Sequence, residues 1–181
     1  MRIRSGRDKH LRDSALGRLP LHENQYVHQS GKSCELAIHE LAWRAEIAFG
    51  HKEIGLATFL NIEGAFDRAS FLSMERALQR RGVGPTLTKW ITSMLNNRTV
   101  HVSMNLCNIG ATAVAGCPQG GVLSPLLWCL LVDDLLSDLR RAGFYAQSYT
   151  DDITIMVSGR KMTACDPQDV WGEITYTADA Q

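Results

Sequence analysis

Two adjacent carboxylates, Asp151 and Asp152, stand between the β-prone runs YAQSY and ITIMV, at the tip of a predicted hairpin. Aspartate is common at turns, so an ordinary turn accounts readily for one of them. Two acids side by side repel unless a cation neutralises them, and hard oxygen donors of this kind suit magnesium or manganese. Phosphoryl-transfer sites built on two such ions, roughly 3.5–4 Å apart, need at least two bridging or flanking carboxylates.

A further acid is therefore sought at the end of another strand. IGLATFLNI, 54–62, is short, apolar and without strong helix caps, which predicts a strand buried on both faces. It closes on Asn61. Alternation puts Phe59, Asn61 and Glu63 on one face and Leu60 and Ile62 on the other. A neutral amide stands where a metal site favours an acid. Glu63 and Asp67 follow closely, but strand geometry gives no assurance that either substitutes for it.

CPQGGVLSP, 117–125, is the next segment with chemical content. Gly120 and Gly121 let a backbone pass close to something, Pro118 and Pro125 stiffen the loop, and Gln119 offers both donor and acceptor groups. The segment reads either as a strand-to-helix turn or as a surface on which a base or sugar rests. GKS at 31–33 fails as a phosphate-cradling loop, because Tyr26 occupies the position of the required first glycine. Ser33 reads instead as a helix cap. His22, His28, His39 and His101 share no ligand spacing, and Asp133 and Asp134 read as a solvated helix face or an ion pair.

The elements that must position these residues follow from periodicity. A helix is predicted over 33–49, with Leu36, Ile38, Leu41, Ala45 and Ala48 at mostly three- and four-residue steps. A second runs over 70–81, capped by Ser70 or Asp67, and a third follows Pro85, with Leu87, Trp90, Ile91 and Met94 along one side. TVHVSMN and ATAVAG flank a turn-like LCNIG as a predicted hairpin. Ser124 and Pro125 open a long helix that ends near Arg141, before Gly143. The order is that of an α+β fold, an antiparallel sheet backed by helices.

Composition sets the outer limits. The 181 residues suit one domain, 45% of them hydrophobic, with a formal net charge of zero. That balance argues against a free-standing basic binder of nucleic acid. The charge is uneven, however: residues 1–18 carry six Lys or Arg against two Asp, and 160–181 carry two against four acids. The cysteines at 34, 107, 117, 129 and 165 form no CxxC or metal-ligand spacing, and fit a reducing, intracellular setting. The longest apolar run, 122–132, is too short to span a bilayer. The arginine-rich start lacks the apolar segment of a secretory signal, while a transit peptide stays open.

Taken together, FLNIEGAFD at 59–67, CPQGGVLSP at 117–125 and YTDD at 149–152 resemble, in this order, the first, second and third palm motifs of reverse transcriptases, in the style of jockey-type non-long-terminal-repeat retrotransposons. NQYVHQSGKSCELAIHEL resembles the fingers motif that precedes the palm in that family. The resemblance covers about 19–160. It leaves a basic segment at 1–18 and an unmatched tail at 161–181.

It implies a polymerase fingers–palm core that copies RNA into DNA from a primer and dNTPs using Mg2+ or Mn2+, inside the cell in the nucleus or cytoplasm. The family's palm continues into a thumb, but the pattern fades beyond about 160 and no thumb is expected in these residues. In the family, the acid closing the first strand and the first Asp of the YxDD box hold two magnesium ions. Here those positions are Asn61 and Asp151, with Asp152 the accompanying acid and the carbonyl of Ile62 a further ligand. Phe66 falls where an aromatic stacks under the sugar. Gln119 and Gly120 fall where the incoming nucleotide is contacted, and Tyr149 near the primer end. Asn61 departs from the family's aspartate, so impaired metal binding is expected. The rival readings are a non-catalytic nucleic-acid-binding remnant, with Arg80, Arg81, Lys89 and Arg98 on phosphates, and another palm-type nucleotidyl transferase such as a cyclase. A template-facing PQGG loop argues against the cyclase.

Overall fold

The computed structural model describes residues 16, 19–104, 107–118 and 120–160; most of the 1–18 segment, Gln119 and the 161–181 tail lie outside the described residues. The elements are α1 (Cys34–Gly50), β1 (Ile54–Asn61), α2 (Ala65–Arg68), α3 (Phe71–Arg80), α4 (Pro85–Asn96), β2 (Thr99–Met104), β3 (Cys107–Thr112), α5 (Ser124–Arg141), β4 (Tyr145–Tyr149) and β5 (Asp152–Gly159). They fall into two units. One holds the described residues up to Pro20 together with Gly64–Leu131; the other holds Leu21–Glu63 and the chain from Val132 onward. α5 begins in the first and ends in the second.

The second unit is built on an antiparallel sheet of order β1-β5-β4. β5 is central, and Ile153, Thr154, Ile155 and Met156 are buried on both of its faces. The strand β1 was predicted to be buried on both faces; it is an edge strand, with Phe59 71% exposed and no residue fully buried. Its apolar run carried no information about its place in the sheet, and pairing on one side only leaves it open.

Helix α1 starts where Ser33 can accept a hydrogen bond, from the Leu36 N–H at 3.2 Å. The residues it turns inward are Ala37 and Ala48, with Leu41, Arg44 and Ala45 half-buried between them. Leu36 and Ile38, assigned to the inner face by spacing, are exposed. Small side chains face the sheet because the helix lies close to it: Gln147 Nε2 on β4 donates directly to the Ala37 carbonyl at 3.1 Å.

In the first unit, α3 contributes buried Met74, Ala77 and Leu78, and α4 contributes Thr88, Ile91, Thr92 and Leu95. The buried stripe of α4 is thus rotated from the predicted one, since Met94 is exposed. Two threonines enter the core because their hydroxyls are satisfied locally, Thr88 on the Val83 carbonyl and Thr92 on the Thr88 carbonyl. The hairpin is present, but its second strand is Cys107–Thr112 rather than ATAVAG. Gly110 read as a turn residue. It lies opposite His101, whose ring would sit 3.1 Å from any added Cβ. The first half of α5 buries Leu126, Leu127 and Leu130.

Candidate active site at a hairpin turn and a strand end

The β4–β5 hairpin turns on two residues, Thr150 and Asp151, between the paired Tyr149 and Asp152. Thr150 has φ +55°. A β-branched residue in that region is strained, and the first central position of such a turn ordinarily takes glycine. Strain of this kind collects at functional sites.

The ladder between β1 and β5 ends with Asn61 opposite Asp152. One step further, the Ile62 N–H donates to the Asp151 carbonyl at 3.1 Å. Because Asp152 also pairs with Tyr149, three side chains, Asn61, Asp152 and Tyr149, stand abreast on one face of the sheet. All three are exposed, and Asp151 at the turn is half-buried. The strand end and the hairpin tip therefore meet, and it is Asp152 that directly faces Asn61. The next row on this face holds Phe59, Thr154 and Gln147.

The donors here are the Asp151 and Asp152 carboxylates, the Asn61 amide and the Ile62 carbonyl. All offer oxygen, which fits a hard divalent cation in kind. They fall one negative charge short of a three-acid set. Among the described residues, no three His, Cys, Asp or Glu side chains form a group that could hold a metal ion.

The other predicted residues lie in the first unit. Phe66 sits on α2, which follows Gly64 at φ +66°; its ring centroid is 5.6 Å from that of Trp128. Its carbonyl accepts from the Cys117 N–H at 2.7 Å, and the Ala69 carbonyl accepts from Gly116 at 2.8 Å. These bonds join the FD-containing segment to the start of the Gly/Pro loop. Within the loop, the Ser124 hydroxyl and the Gly121 N–H both donate to the Pro118 carbonyl, at 2.7 and 2.9 Å. Gly120 has φ +73° and is exposed.

Of the four basic residues proposed for phosphates, Arg80 and Lys89 are exposed. Arg98 is half-buried and donates to the Ala115 carbonyl at 3.0 Å. Arg81 is a correction: it is 8% exposed, and its guanidinium is committed to the carbonyls of Leu19 and Pro20, so it is not available to a phosphate. Asp133 is another. It is buried, not solvated, and its carboxylate accepts from the His22 N–H and the Gln25 amide. Sequence periodicity had no means of finding these partners, which lie more than a hundred residues away.

The sequence matches the family described as Reverse transcriptase (RNA-dependent DNA polymerase) over residues 8–172. The chain belongs to that family. Among curated relatives, the reverse transcriptase domain is 29% identical over 140 residues to the Pol polyprotein of the type-1 retrotransposable element R1 of Bradysia coprophila, covering 77% of this chain and 14% of that protein. It is 30% identical over 156 residues to the probable RNA-directed DNA polymerase from transposon BS of Drosophila melanogaster, covering 82% and 17%. It is 27% identical over 133 residues to the RNA-directed DNA polymerase from mobile element jockey of the same fly, covering 70% and 14%. The chain thus spans roughly a seventh of the length of these relatives, and its character is that of a jockey-like reverse transcriptase. Among solved structures, apo telomerase from Candida tropicalis, truncated from its C-terminal domain, superposes with TM-score 0.59 at 13% identity, over 96% of this chain and 36% of that one. That likeness speaks to fold, a mixed helical and antiparallel-sheet polymerase core. No described helix is long and apolar enough to cross a membrane.

Proposed function

We propose that this domain carries the nucleotidyl-transfer site of a retrotransposon RNA-directed DNA polymerase, and that the site is impaired by Asn61. The single observation that supports the placement is the pairing of Asn61 with Asp152 at the rung beside the Asp151 turn. In this reading Asp151, Asp152 and Asn61 hold divalent magnesium or manganese ions, with the Ile62 carbonyl as an added ligand. Such ions, when bound, lower the pKa of the primer 3′-hydroxyl and steady the pyrophosphate leaving group. Tyr149, beside Asp152, positions the primer end. Phe66 takes the sugar, and Gln119 and Gly120 contact the incoming dNTP. Arg80, Lys89 and Arg98 are left to touch phosphates of the RNA template and DNA primer. The protein acts inside the cell, in the nucleus or cytoplasm.

An amide carries no charge and donates as well as accepts, so it is a weak ligand beside a carboxylate. Its presence at 61 reduces rate by up to thousands-fold, or ~4 kcal/mol at the barrier. Primer extension on an RNA template tests this. The natural chain should extend slowly and Asn61→Asp much faster; robust extension by the natural chain, or no gain on Asn61→Asp, overturns the assignment. The neutral amide also favours a second reading, nucleic-acid binding without catalysis. That predicts salt-dependent RNA binding with no extension by either protein.

A further inference from the structure

The sheet of the second unit treats its two edges differently. The outer edge of β4 is covered: the Tyr26 N–H donates to the Ser148 carbonyl at 2.9 Å, and the Ser148 N–H to the Asn24 carbonyl at 3.0 Å. The Asn24 side chain adds a bond from Nδ2 to the Ala146 carbonyl at 2.9 Å. Among the described residues, no strand pairs with the outer edge of β1.

β1 also lacks what blunts an open edge. Natural edge strands carry lysine, proline or a bulge, or stay short. β1 runs for eight residues, IGLATFLN, without a charge or a proline. Its ladder with β5 is unbroken from Ile54 to Asn61. Ile54 and Phe59 are both exposed.

The direction of its main-chain polar groups is fixed. The Ile62 N–H donates to the Asp151 carbonyl. By alternation, Ile54, Leu56, Thr58 and Leu60 turn their N–H and C=O groups to β5, and Gly55, Ala57, Phe59 and Asn61 turn theirs outward. A two-fold axis at Thr58 matches these outward groups to the same groups of a second copy. Ala57 then exchanges hydrogen bonds with Phe59 of the second copy, and Gly55 with Asn61. Between them Thr58 faces Thr58, and Leu56 faces Leu60. This axis pairs the whole strand, whereas a slip of two residues either way loses rungs. The charged groups nearest the edge are Glu53, half-buried and accepting from the Ser158 hydroxyl at 3.0 Å, and exposed Glu63. They flank the strand, and the axis sets them opposite each other as like charges that salt screens.

We infer that the outer edge of β1 is an interface between two copies of this chain, which joins their three-stranded sheets into one continuous antiparallel sheet. Main-chain hydrogen bonds supply the association and the apolar side chains set its register. An uncharged strand whose outward groups match themselves selects a second copy over a charged peptide. A two-fold contact uses the same edge on both copies, and the β4 edges are covered, so assembly closes at a dimer. One strand edge is small beside the roughly 1,200–2,000 Å² of stable complexes, so the dimer is weak, with a Kd on the order of 0.1 mM. The inference is independent of the polymerase reading.

Sedimentation equilibrium of the full chain, from about 10 μM to about 1 mM, tests it. Reversible dimerisation is expected, and added salt should strengthen it. Ala57 is exposed, and Ala57→Lys should weaken the dimer at least about tenfold by charging the edge. Ala57→Pro should do the same, because it removes an outward N–H and spares the ladder with β5. Asp151→Ala should dimerise like the natural chain, which separates this surface from the proposed catalytic site. Oxidation reads the register. Facing residues of a non-hydrogen-bonded pair have Cα atoms about 4.5 Å apart, within reach of a disulfide. Thr58→Cys should therefore cross-link two copies through the introduced thiols, as mapped by peptide mass spectrometry. Gly55→Cys, about 20 Å from its counterpart along the strand, should not. A chain that stays monomeric over this range leaves the edge to a different strand and overturns the inference. So does a dimer unaltered in Ala57→Lys, or equal cross-linking of Gly55→Cys and Thr58→Cys.

Discussion

Asn61 and Asp152 are direct cross-strand partners on the last rung between β1 and β5. Opposed residues on one face of an antiparallel pair have Cβ atoms about 4.5–5.5 Å apart. An aspartate at 61 would therefore put like charges across from each other. Asn61→Asp should lower stability in EDTA, by no more than about 1 kcal/mol because both positions are solvent-exposed. Millimolar magnesium should restore it. The natural chain should respond less, and Asp152→Asn in the Asn61→Asp background should abolish the response. Urea unfolding with and without magnesium measures this; a variant indifferent to magnesium would argue that the rung is not a metal site.

Thr150 carries the strain of the hairpin turn at φ +55°. Asparagine tolerates this region and is not β-branched. Thr150→Asn should raise stability by about 0.5–1 kcal/mol, read as a higher urea midpoint with an unchanged slope. Loss of stability would mean that the threonine side chain contributes more than its backbone costs.

Much of this was legible in the sequence, and the reason differs from place to place. The helix at Ser33 and the hairpin that turns at Thr150 and Asp151 are local, set by a cap and by alternation around a turn, and both formed as read. The juxtaposition of Asn61 with the hairpin was implied by the resemblance of the motifs to a reverse-transcriptase palm, and the last rung of the β1–β5 ladder pairs Asn61 with Asp152. What failed was the assignment of faces. β1 looked buried because it is apolar, yet its neighbours decide that, and it lies at an edge. Asp133 and Arg81 looked like surface charges because their partners are main-chain groups at His22, Leu19 and Pro20, far away in the chain. No pattern of neighbouring residues records such a bond.

Gly116 has no room for a side chain. A Cβ there would lie 2.4 Å from the Asp67 carbonyl oxygen, at φ +83°. Gly116→Ala should therefore cost at least about 3 kcal/mol, since the clash is with backbone that is itself held by hydrogen bonds. Gly120, at φ +73° with open space around it, isolates the conformational part, and Gly120→Ala should cost only about 1 kcal/mol. Equal losses in thermal or urea unfolding would refute the difference.

Cys117 is buried with its sulfur 3.8 Å from that of Met74, and burial, opposed by Arg98, pushes its thiol up to about 11. At pH 8 about one molecule in a thousand then carries the thiolate that alkylates. Cys34 is exposed on the first turn of α1. Iodoacetamide should modify Cys34 within minutes and leave Cys117 unlabelled until the chain is unfolded, as mapped by peptide mass spectrometry. Rapid labelling of Cys117 in the native protein would show that this unit opens readily.

His22 links stability to pH. Burial lowers its pKa from 6.5; Arg140 pushes the same way, and Asp133 and Glu23 push back. The folded ring therefore declines a proton that the unfolded chain accepts. Above the unfolded value of 6.5 both states are neutral and the ring contributes no pH dependence. As pH falls from there toward the lowered folded value, the unfolded state binds more protons and stability drops. His22→Gln removes the titration while keeping a side-chain donor. Urea unfolding at pH 7.5 and 5.5 should show a larger loss for the natural chain than for His22→Gln. Identical losses would mean that the imidazole is solvated in the folded state and that its buried Nε2 does not govern its charge.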